Sequence, residues 1–152
     1  MHKKIGFVLK NTKNLVHVRE ELFKLFKATK NGKIIKIGYV AGIMNSDGPN
    51  FFVRNSKLLV NHAAKLRKMH KFPMFTAVDV FPEEIYKNLE EWRLSFEKRE
   101  AKVRNFWRTI LKSGYVTDVF MTPRWDKSKG ATDEHKTAKK VGITIHYMEA
   151  HS

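Results

Sequence analysis

The chain has 152 residues, 42% of them hydrophobic and 30% charged. That length suits one domain, and the composition excludes a disordered polyelectrolyte; no apolar run approaches the roughly 20 residues of a spanning helix. Lys and Arg outnumber Asp and Glu by 30 to 15, giving +15 and an attraction for polyanions, phosphorylated small molecules or anionic membrane surfaces; zero cysteines remove disulfides, thiolate zinc sites and cysteine nucleophiles.

Residues 5–9 are apolar, too short for a secretory h-region, and are expected to form a first short strand. Residues 11–30 read as a helix with Leu15, Val18, Leu22, Leu25 and Phe26 on one stripe, and Asn31-Gly32 should stop it. Residues 34–41 are too continuously apolar for a one-sided strand, which predicts burial on both faces. A loop follows at 42–49, then a helix over 50–70 through Phe52, Leu59, Ala63 and Leu66. Pro73 breaks that helix, and 74–81 is the next expected strand. Pro82-Glu83-Glu84 opens helical structure reaching Lys112, with an interruption at 91–95, and Ser113-Gly114 closes it. Residues 115–122 are a strand, 123–130 a polar loop, 131–140 a helix and 142–148 a last strand.

This alternation implies a parallel sheet of four to five strands covered on both faces. Ligands of such sheets sit beyond the carboxyl ends of the strands, which directs attention to loops 42–49, 79–82 and 122–131. No GxxxxGK[ST], GxGxxG or HExxH occurs, and the seven histidines show no metal-ligand spacing, so no metal or organic cofactor is expected. The segment from Trp125 to Glu134 offers a serine, a glycine and two lysines before a helix, the makings of a phosphate cradle. Glu134 would lie in the first turn, where the dipole favours a carboxylate suited to attack at an anomeric carbon. The same residues equally describe a capped helix, with Ser128 or Thr132 as cap.

Taken together, Tyr39-x-Ala41-Gly42 at a strand end, a strand bearing Asp118, and Ser128-x-Gly130-x-x-x-Glu134 opening a helix resemble the nucleoside 2-deoxyribosyltransferase superfamily, including its nucleoside 5′-monophosphate N-glycosidase branch. The likeness covers residues 34–148 and leaves 1–33 as a basic strand and helix extension of a single domain. It implies a three-layer, doubly wound, flavodoxin-like α/β fold. It casts Glu134 as the catalytic carboxylate acting at C1′ and Tyr39 as its neighbour near the base. Gly42 and Gly130 fall where backbone passes close to ligand, Ser128 where the hydrolases hold phosphate, and Asn45 where some of them carry a phosphate-binding arginine. Asp118 is expected to support the loop beneath the site. The family often places an acid on the preceding helix, whereas this chain has none between Glu100 and Asp118.

The expected activity is hydrolysis of the base–sugar bond of a nucleoside or deoxynucleoside 5′-monophosphate. Base exchange, an NAD glycohydrolase activity and a non-enzymatic nucleic-acid binder using the basic surface are the alternatives. A cytoplasmic protein with no membrane partner is expected. The resemblance further implies a homo-oligomer whose sites are completed near residues 147–152 of a neighbouring subunit.

Overall fold

In the computed structural model, which describes residues 1–149, the first segment is helical. Residues 5–9 were expected as a strand but belong to α1 (His2–Val8) and its cap, because Ile5 and Leu9 lie four apart and bury the same face completely, while Phe7 points to solvent. Helix α2 (Leu15–Lys30) starts where Asn14 Oδ1 accepts from His17 N at 2.8 Å. Its stripe of Leu15, Val18, Leu22, Leu25 and Phe26 is buried as the spacing predicts, and Asn31 ends it in the left-handed region at φ 45°.

Among the described residues four strands form the sheet, within the four to five expected. β1 (Gly38–Ala41), β2 (Met74–Thr76), β3 (Asp118–Met121) and β4 (Thr144–Tyr147) are all parallel in the order β2-β1-β3-β4. On one face α3 (Phe52–Met69) packs Leu59, Ala63 and Leu66 against Val40, Met74 and Phe120. On the other, α2, α6 (Phe96–Lys112) and α7 (Lys129–Val141) enclose Tyr39, Phe75, Val119 and Met121. Ile5, Leu9, Leu22 and Phe26 belong to this second cluster too. The result is a three-layer, doubly wound α/β fold of flavodoxin-like strand order. All four residues of β1 are buried, as a strand covered on both faces must be.

β2 is shorter than the apolar run 74–81. Thr76 Oγ1 accepts from Val78 N and Asp79 N at 3.1 and 3.4 Å, and Asp79 Oδ2 accepts from Thr76 N at 2.8 Å. This capping box turns the chain into α4 (Ala77–Val80), so Asp79 is occupied in a cap. After Pro82 comes α5 (Glu83–Tyr86), then a single 3-10 turn over Glu90–Arg93, and Ser95 caps α6, which is the interruption expected at 91–95.

Gly42 leaves β1 in a tight place. A Cβ there would run into Thr122 Oγ1, which donates to Ala41 O at 2.8 Å, and would stand 3.0 Å from Leu59 Cδ1. The obstructing atoms are side-chain atoms, but Thr122 Oγ1 is held by its bond to Ala41 O, so relief requires breaking that β1–β3 contact. Gly42→Ala is expected to destabilise the fold by about 1–3 kcal/mol, read as a lowered urea midpoint at unchanged slope.

Candidate active site

The strand order reverses between β1 and β3, and a cavity of about 600 Å³ opens beyond their carboxyl ends. Side chains alternate along β1, so Tyr39 points to the α6–α7 side, where its ring lies 4.8 Å from that of Trp107 and 5.2 Å from that of Phe75. Its hydroxyl donates to Glu134 Oε1 at 3.0 Å. Tyr39 is 1% and Glu134 8% exposed, so this bond forms where water has little access. Tyr39, Gly42, Asn45, Ser128, Gly130 and Glu134 all line the one cavity.

Two features of Glu134 differ from the sequence expectation. The helix begins at Lys129, not Ala131, which moves Glu134 from the first turn into the second, where the dipole helps an anion little. Burial outweighs what remains: it pushes the carboxyl up to about 8, the nearby Asp133 charge adds to the rise, and the Tyr39 hydrogen bond only partly offsets it. Glu134 is therefore a neutral acid at neutral pH. Burial, and next the charge of Glu134, hold the Tyr39 phenol well above its ordinary range, so it stays a donor. Asp133 takes a bidentate fork from Arg108, at 2.6 and 2.9 Å.

Ser128 is the helix N-cap, its Oγ accepting from Ala131 N at 3.0 Å, with its own proton left to donate. Gly130 is not demanded by packing, since a Cβ would meet only Ser128 Oγ at 3.9 Å. Gly130→Ala should fold at least as stably, a gain of about 0.5–1 kcal/mol from helix propensity. If a phosphate sits on this turn, the added methyl should raise KM for a nucleotide about tenfold with kcat little changed, which steady-state kinetics reads directly.

Asp118 is not at the site. It is the first residue of β3, at the opposite strand end from the cavity, because the strand starts three residues later than the apolar run. It accepts from Thr117 Oγ1 at 2.6 Å and pairs with His146 Nε2 at 2.7 Å. Trp125 stacks on His135, ring centroids 4.3 Å apart, and so anchors its loop. Tyr147 bonds His135 at 2.6 Å; residues 150–152, invoked for a neighbouring site, lie outside the described residues.

The cavity also holds residues that the motifs did not single out. Glu97, Glu100, Arg104 and Trp107 of α6 line it, and their spacing of three, four and three puts them on one helical face. Glu100 Oε1 accepts from Asn45 Nδ2 at 3.3 Å, so an acid on this helix does reach the site. Phe81, Tyr86 and Phe96 add aromatic surface to a cavity that the turn carrying Ser128 and Lys129 also lines. At the mouth, Arg124 reaches Asp47 at 3.1 Å and Lys129 N donates to Ser46 Oγ at 3.2 Å, tying the loops after β1 and β3 together. Among the described residues no group of three or more His, Asp or Glu could hold a metal ion. No helix among them is long and apolar enough to cross a membrane. No family model, curated protein or solved structure matches the chain.

Proposed function

We propose that the chain is an N-glycosidase that cleaves the base–sugar bond of a nucleoside or deoxynucleoside 5′-monophosphate. The observation that carries this reading is the buried Tyr39–Glu134 pair inside an aromatic-walled cavity at the switch point of the sheet. A nucleobase stacks on such a wall, and the Gly130 amide and the Ser128 hydroxyl suit a phosphate, the Ser128 and Lys129 amides being held by Trp125 O and Ser46 Oγ. Between them the sugar would bring C1′ to Glu134. Tyr39 engages Oε1 and leaves the second carboxyl oxygen to the sugar. That oxygen, once ionised, bonds to C1′ as the C1′–N bond breaks; the base leaves with the electron pair and takes a proton from solvent. Water then cleaves the glycosyl ester and restores the carboxyl group. Positive charge developing at C1′ favours the ionised form that burial disfavours.

Chromatography of a nucleotide panel tests this, with and without an added free base. Free base should be released, with kcat/KM rising toward alkaline pH through about 8 as Glu134 loses its proton. A falling profile would make Glu134 a general acid instead, and label exchange into the added base would make the reaction a transfer. Absence of base release from every nucleotide overturns the reading.

A further inference from the structure

Parallel strands place every loop that leads into a strand at one edge of the sheet. Here the register sets them side by side: Gly38 pairs with Met74 and Asp118, and Asp118 with Thr144. Strands lie about 4.8 Å apart. Residues 27–36, 67–73, 112–117 and 139–143 therefore make one pole of the molecule, at the opposite end from the cavity. None of these segments contains Asp or Glu. Asp118, just inside the pole, is 2% exposed and occupied by Thr117 and His146.

Every segment presents exposed lysine: Lys33 and Lys36 before β1, Lys68 and Lys71 before β2, Lys112 before β3, Lys139 and Lys140 before β4. Complementing helix dipoles accounts for those in last turns, but Lys33, Lys36 and Lys71 lie beyond the helices. The one arginine, Arg67, is turned inward to Met74 O and Asp79. The cavity end mixes both signs, with Glu97, Glu100 and Asp133 beside Arg104 and Lys129, whereas the segments of the pole hold lysines and no acid of their own.

Three of the four segments add an exposed aliphatic side chain next to a lysine. Ile34 is fully exposed beside Lys33, Met69 is 68% exposed beside Lys68, and Val141 is 42% exposed beside Lys140. A nucleic-acid backbone would use the lysines and waste the aliphatics, and no exposed arginine fork serves the pole. An anionic bilayer uses both, holding ammonium groups at the headgroups and aliphatic tips in the interface. We propose that this pole docks peripherally on membranes containing anionic lipids, with the cavity mouth turned toward solution.

Sedimentation of the full chain with phosphatidylcholine vesicles, with and without phosphatidylserine, tests the proposal. Binding should require phosphatidylserine and fall as salt rises. Lys33→Glu/Lys36→Glu should weaken it by at least about 25-fold, since each lysine near such a surface is worth about fivefold. Ile34→Ser/Met69→Ser should weaken it about tenfold and leave duplex DNA affinity unchanged. As a control, Lys10→Glu/Lys13→Glu removes the same charge from the turn before α2, at the other end of that helix from Lys30, where Lys13 O accepts from Glu90 N. An equal loss from that control would mean that net charge alone attracts the protein. That result, indifference to Ile34→Ser/Met69→Ser, or DNA displacing the protein from vesicles at equal phosphate would overturn the proposal.

Discussion

Glu134→Gln is expected to abolish base release while making the folded protein more stable at neutral pH. Under the proposed mechanism, loss of the carboxylate removes the group that would attack or stabilise C1′, an effect of at least about 10³ on kcat/KM. The gain in stability follows from the same burial. In the unfolded chain this carboxyl titrates near 4.5, and in the folded chain near 8. Between those values the native state binds a proton that the unfolded state has lost, so stability falls as pH rises through the window. The penalty is small at about pH 5 and on the order of 3 kcal/mol at pH 7. Glutamine carries no such penalty and still accepts from the Tyr39 hydroxyl. Urea denaturation of both proteins across this range should show the difference growing with pH and levelling off above about 8. A constant difference would mean that Glu134 does not titrate with folding. The opposite signs matter, because a residue conserving the fold would lose stability when replaced, whereas a site held in tension gains it.

How much of this was legible in the sequence depends on how many elements each feature needs. The stripes of α2 and α3 and the doubly buried β1 are properties of one segment, and apolar spacing announces them. The meeting of Tyr39 and Glu134 needs two segments: the rule that parallel strands share a carboxyl edge brings both to one end, and the pairing itself came only with the family resemblance. The protonation of Glu134 needs four: β1, α6 and α7, plus the chain before α6 that brings in Phe81 and Tyr86. Nothing in the spacing of residues 128–134 reports that burial, so a dipole argument pointed to the wrong charge state. Asp118 failed for a different reason. The strand expected over 115–122 is only four residues long, and its late start leaves this side chain at the other end of the sheet. Residues 5–9 are a further case, since five apolar residues fit a strand or a helix until a partner selects one.

Tyr39→Phe separates a positioning role for the phenol from simple core filling. The substitution keeps the ring against Trp107 and Phe75 and removes only the hydroxyl that donates to Glu134 Oε1. That bond is what restrains the upward push of burial on Glu134, so without it the carboxyl should titrate above about 8. The rising limb of kcat/KM should then move alkaline by about one pH unit, with activity near neutrality falling about tenfold and largely returning on the alkaline side. Stability should drop by only about 1 kcal/mol, the net worth of one hydrogen bond. A structural role alone would lower the urea midpoint and leave the pH profile where it was. A loss of activity that persists at every pH would instead mean that the hydroxyl touches the reacting sugar, with its proton donated to substrate rather than to Glu134.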